Sequence, residues 1–103
     1  MPKPLVVTIS HSLGRQGAKR RIEDGIGSIR SQLAAFAVSI EDRWQGDQLD
    51  FRLVAAGQVV TATIDVLEDV VRVEVNLPGM LAMLAQKVIG RIRDQGTKML
   101  EKR

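Results

Sequence analysis

The chain has no cysteine and no tyrosine, and its 103 residues include one histidine, one tryptophan and two phenylalanines. Without a thiol there is no disulfide staple and no thiolate nucleophile, a composition suited to a reducing compartment. A dedicated zinc site draws on several converging His and Cys ligands, and one His with scattered carboxylates does not supply them. Three rings, Phe36, Trp44 and Phe51, are too few for the stacking platforms that bind single-stranded nucleic acid. No apolar run approaches the roughly 20 residues that cross a bilayer, and the start, Met1-Pro2-Lys3-Pro4-Leu5, lacks the apolar core of a secretory signal. A cytoplasmic protein is the resulting expectation.

Catalytic constellations are missing as well. His11 lies between Ser10 and Ser12, but neighbours along a strand or helix cap rarely reach the geometry of a nucleophile and its base. A structural tie between strand and helix start is the expected role of His11. Glu41-Asp42 and Glu68-Asp69 read as edge and turn charges, not acid/base pairs. Gly14, Gly17, Gly25 and Gly27 fall in neither of the phosphate-loop spacings. No catalytic, cofactor-binding or metal residue is assigned, and a non-enzymatic protein is expected.

What is present suits a small globular core: 45% hydrophobic and 26% charged residues, in a length that predicts a single domain over 1–103 with frayed ends at 1–4 and 101–103. The net charge of +3 is unevenly spread. Residues 1–36 hold six Lys/Arg against two Asp/Glu, residues 37–76 three against eight, and residues 77–103 six against two. An acidic middle is flanked by basic segments. They can complement it within the fold, or turn a basic helical face toward an anionic partner.

The acidic middle, from Ala37 to Leu77, alternates with period two. Val38 and Ile40, with Trp44 further on, share one face; so do Leu49, Phe51 and Leu53; Val60, Ala62, Ile64 and Val66; and Val71, Val73 and Val75. Each set interleaves with polar residues, which predicts strands with one apolar and one wet face. Gln45-Gly46-Asp47, Ala55-Ala56-Gly57-Gln58 and Glu68-Asp69 are the turns between them. Asp42 falls in phase with the apolar set, which predicts an edge or a bulge. Ahead of the meander, Leu5–Ile9 is a β-rich run after proline. A helix to about Ala35 follows, with Gly14 as its N-cap and Ala18, Ile22, Ile26, Ile29 and Leu33 as its apolar stripe. Gly17, Gly25 and Gly27 each weaken that helix by up to about 1 kcal/mol relative to Ala, so it leans on tertiary packing. Gly25, beside the stripe, is expected to let the helix sit close to the sheet.

Direction then argues strand order. Strands two and five of a meander run oppositely, and a helical crossover returns the chain parallel to its start. Strand one can therefore pair antiparallel beside strand five. The prediction is an α+β fold, β-α-β-β-β-β-α, with a five-stranded antiparallel sheet in the order 2-3-4-5-1 and two helices on one face.

The last helix opens at Asn76-Leu77-Pro78-Gly79, with Pro78 near its first turn. Leu77, Leu81, Leu84, Ala85, Val88, Ile92 and Met99 form its stripe, but Met80 and Met83 lie off it, so the first turns are apolar all round. Such a turn requires a cover: the first helix, a second copy in a homodimer, or a partner surface to which flexible Met adapts. Leu77, Met80, Met83 and Leu84, flanked by the cations Lys87 and Arg91, are the candidate interaction surface. Lys19-Arg20-Arg21 points around most of a helix circumference and makes no single patch, so nucleic-acid binding is disfavoured.

His11-Ser12-Leu13-Gly14 with Ala18, then Arg43-Trp44-Gln45-Gly46-Asp47-Gln48-Leu49, then Val70-Arg72-Val73-Glu74-Val75 and the Leu77-Pro78 helix opening, resemble the polyhydroxyalkanoic acid system proteins. These are small bacterial proteins whose genes lie near those for polyhydroxyalkanoate storage. The resemblance runs from about Val6 to Leu100 and brings no catalytic residues with it. It implies a link to polyester granules or their regulation; joined to the absence of a catalytic constellation, it gives the expectation of a non-enzymatic accessory protein that binds a granule surface, a granule protein or another protein partner. The residues alone also admit a small-molecule-binding module, because a long helix across a curved sheet can enclose an apolar cavity.

Overall fold

The alternating strands assemble into one antiparallel sheet. In the computed structural model, which describes residues 4–35, 39–55 and 57–100, the chain forms β1 (Leu5–Ser10), α1 (Gly14–Leu33), β2 (Ser39–Gln45), β3 (Gln48–Ala55), β4 (Gln58–Val66), β5 (Val70–Asn76), a 3-10 segment (Gly79–Leu84) and α2 (Ala85–Met99). Ala37 and Val38 of the expected second strand, Ala56 of the second turn, and the expected frayed ends except Pro4 lie outside the described residues. The sheet order is β1-β5-β4-β3-β2, the predicted order read from its other edge. Every pairing is antiparallel.

Register explains the core. Leu49, Ile64, Val73 and Val7 pair across the sheet as one row, and Val66, Val71 and Ile9 as another. These side chains share the inner face, where Val7, Leu49, Val66 and Val71 are the largest fully buried ones. Ala18, Ile22 and Ile26 of α1 bury against the same core, so the helical layer lies on that face. The outer face carries the polar set. There Gln48 donates to Asp65 (2.8 Å), and Arg72 lies 3.1 Å from Glu74 and 3.7 Å from Asp65.

Asp42 sits on the inner face of the edge strand β2, opposite Phe51, with the ladder unbroken on both sides. The edge alternative is therefore correct and the bulge is not. Its carboxylate pairs with Arg30 of α1, which supplies the counter-charge an inward acid needs. Further up α1, Lys19 donates to the Gly46 carbonyl (2.8 Å) and lies over the Trp44 ring, 4.9 Å from its centroid. Arg15 and Lys19 both approach Asp47, at 3.6 and 3.8 Å. Gly46 itself, at φ +61, closes the two-residue turn between Gln45 and Gln48. Acidic residues of the meander thus meet the first helix near both of its ends, through Arg15 and Lys19 at one and Arg30 at the other.

His11 ties strand to turn. Its N–H donates to the Asp69 carbonyl (3.0 Å), and Leu13 N–H donates to His11 Nδ1 (3.2 Å). With Nδ1 accepting, the ring proton sits on Nε2 and is donated to the Leu67 carbonyl at 3.2 Å. Replacing His11 by Ala removes both side-chain bonds and is expected to cost about 1 kcal/mol in a denaturant titration, the usual net value of a hydrogen bond or two.

Three local expectations are corrected. α1 starts at Gly14, one residue before the expected first helical position, and Leu13 occupies the N-cap position without a side-chain cap. Gly14 has φ +74, a left-handed conformation that an L side chain adopts only under strain. Gly25 does not bring α1 to the sheet; an added Cβ there would meet the Met99 side chain of α2 at 2.5–2.9 Å. The last helix does not begin as an α-helix after Pro78: residues Gly79–Leu84 are 3-10, with Leu81 N–H donating to the Pro78 carbonyl at 2.8 Å. No side chain caps this segment, and the tighter 3-10 bonds take up the first donors.

Candidate functional site

α2 lies over β1 because Gly96 has no side chain: a Cβ there would collide with Cδ1 of Ile9. The two helices meet near the end of α2. Gly25 receives Met99, and Arg21 Nη1 donates to the Met99 carbonyl (3.3 Å), which serves the open C-terminus of the helix. Away from that meeting point their apolar faces do not close on each other. Between them and the sheet is a cavity of about 390 Å³, open to solvent along one side.

Its walls are Ile29 and Leu33 of α1, and Leu81, Leu84, Val88 and Ile92 on the opposite side. Its floor is the inner face of the sheet, including Phe51, Leu53, Val60 and Ala62. All the lining residues are apolar except Gln95 and Gly96. The Gln95 side-chain amide has no hydrogen-bond partner among the described residues. Its spacing, three after Ile92 and four before Met99, places it on the stripe, a signal the reading of that helix passed over.

The residues of the candidate surface divide. Leu77 and Leu84 line the cavity. Met80 and Met83, 74% and 87% exposed, belong to the same 3-10 segment whose Leu81 and Leu84 border the cleft, Leu84 itself remaining 38% exposed. α1 does not cover them, which removes that alternative; Met80 Sδ accepts one weak bond from Gln58 Nε2 at 3.5 Å. Lys87 and Arg91 are exposed and form no ion pair among the described residues. The basic run of α1 diverges as expected: Lys19 reaches the β2–β3 turn, Arg21 the end of α2, and Arg20 is exposed. Among the described residues, no group of three His, Asp or Glu is placed to hold a metal ion, and no helix is long and apolar enough to cross a membrane.

A helix-lined sheet with this cleft is compatible with many functions. The family comparison narrows them: the sequence model described as putative polyhydroxyalkanoic acid system protein matches residues 5–100. The chain belongs to that family. The match spans every described element from β1 to α2, so the cleft and the exposed methionines are both inside the family's extent. The family name links these proteins to polyhydroxyalkanoate systems. Neither a curated protein nor a solved structure matches the chain significantly.

Proposed function

We propose that the chain is a non-enzymatic accessory protein of polyhydroxyalkanoate storage, acting by binding a granule surface through the 3-10 segment. The observation that carries this reading is the exposure of Met80 and Met83 beside the mouth of an apolar cleft. Large exposed apolar side chains grouped at one place mark a contact surface, and Met adapts to an irregular one. The exposed cations Lys87 and Arg91 follow in the next two turns of the chain. Polyester and apolar side chains meet without a charge to desolvate.

The test is co-sedimentation with purified polyhydroxyalkanoate granules. The double variant Met80→Asp/Met83→Asp is expected to weaken binding about tenfold or more, since two desolvated charges oppose the contact. Its stability should stay within about 0.5 kcal/mol of the parent, because both side chains are solvated already. Unchanged co-sedimentation, or tagged protein that stays diffuse in polymer-accumulating cells, removes the reading. The cavity favours a second reading, a small-molecule-binding module: about 390 Å³ falls within the roughly 300–1,000 Å³ of small-ligand sites.

A further inference from the structure

We infer that the cleft takes an anionic single-chain amphiphile, with an uncharged acyl chain along the trough and an anionic head at Gln95 and Arg91. The inference rests on the cleft being a binding cavity, the second reading above, and names the ligand class for it.

Shape argues for a chain. The lining runs along the helical wall from Leu84 to Met99, which is about 20 Å at the rise of an α-helix. At that length a trough of about 390 Å³ is longer than it is wide, the proportion of an extended chain.

Chemistry argues for one polar end. The trough has a single polar side chain, Gln95, and its amide is without a partner among the described residues. Helical spacing puts Arg91 one turn before Gln95 and Lys98 one turn after it on the same side, with Lys87 a further turn back. The opposite flank of α2 is closed, because Gly96 packs there against Ile9. The cationic line therefore stands on the open side of the trough.

Charge argues for the sign. On α1 the acidic meander occupies three of the five cations: Arg30 pairs with Asp42, and Arg15 and Lys19 face Asp47. On α2, Lys87, Arg91 and Lys98 have no ion-pair partner among the described residues, and Asp94 is the one acid within α2. An amide donor beside unpaired cations, at the edge of an uncharged trough, fits a carboxylate or phosphate head with an apolar tail. A neutral tail end enters the trough without burying charge.

Isothermal titration of the full chain with decanoate, decanol and decyltrimethylammonium tests this. Decanoate is expected to bind about tenfold more tightly than decanol, and the cation more weakly than either. Gln95→Leu and Arg91→Gln should each lower the ratio of decanoate to decanol affinity severalfold, and Arg91→Glu should lower it further; an unchanged ratio in all three variants overturns the assignment of the head. Decanoyl-coenzyme A is the arm that separates head groups: tighter binding than decanoate assigns a phosphate-bearing thioester, weaker binding the free carboxylate. Equal affinity for decanoate and decanol in the parent protein overturns the assignment of the head and leaves the cleft. Absence of binding by all of the probes overturns the cleft as well, while the granule assay on Met80 and Met83 stands by itself.

Discussion

Leu49→Ala is expected to lower the unfolding free energy by about 3 kcal/mol, and Leu53→Ala on the same strand by only about 1 kcal/mol. Both delete the same atoms, so the transfer contribution is alike and the surroundings decide the difference. Leu49 is 0% exposed and sits between Trp44 on β2 and Ile64 on β4. Its removal opens a void where packing is closed on every side. Leu53 is half-buried and borders the cleft, so part of its surface has no neighbour to lose. Urea titrations at constant m-value measure both. Equal losses would mean that the cleft is filled in solution and that the picture of diverging helices is wrong.

Gly96→Val is expected to cost about 3 kcal/mol, through overpacking at the seat of α2 on β1. Gly96→Ala should cost less, about 1 kcal/mol, because the gain in helix propensity offsets part of the collision. The collision has one named partner, Cδ1 of Ile9. Ile9→Val deletes that atom and little else. The pair Gly96→Ala/Ile9→Val should therefore be more stable than the sum of the single changes by about 1 kcal/mol. Strict additivity would show that α2 does not rest on β1 at this point.

These tests concern contacts that sequence reading reached unequally. The sheet was legible because its signal is local: Leu49, Phe51 and Leu53 alternate with polar residues, and Gly46 marks a turn of fixed length. Strand order followed from direction alone, since a crossover helix leaves β1 antiparallel to β5. The helix stripes were legible for the same reason as the strands. What a stripe does not encode is where two helices approach and where they part. Gly25 was recognised as a place of close contact, but its neighbour proved to be Met99, 74 residues away along the chain, and not the sheet. The cover of Met80 and Met83 depended on the same crossing geometry. Six of the candidate residues were named from composition and spacing; Gln95 was not, because one amide among hydrophobic residues carries no motif until the trough around it is seen.

The position of β1 at the far edge has a kinetic consequence. Its partners on β5 lie 60 to 70 residues away along the chain, whereas the hairpins of β2 to β5 close over a few residues each. Loop-closure entropy favours the hairpins as the early structure and makes β1 docking a late step. Until then β5 is a bare edge, with the apolar side chains Val71, Val73 and Val75 at an unpaired strand, open to pairing with another chain. Since α2 seats on Ile9, its docking waits for β1. A chain whose β1 has not docked therefore leaves an aggregation-prone edge open, and α2, which needs Ile9 in place, joins the fold last.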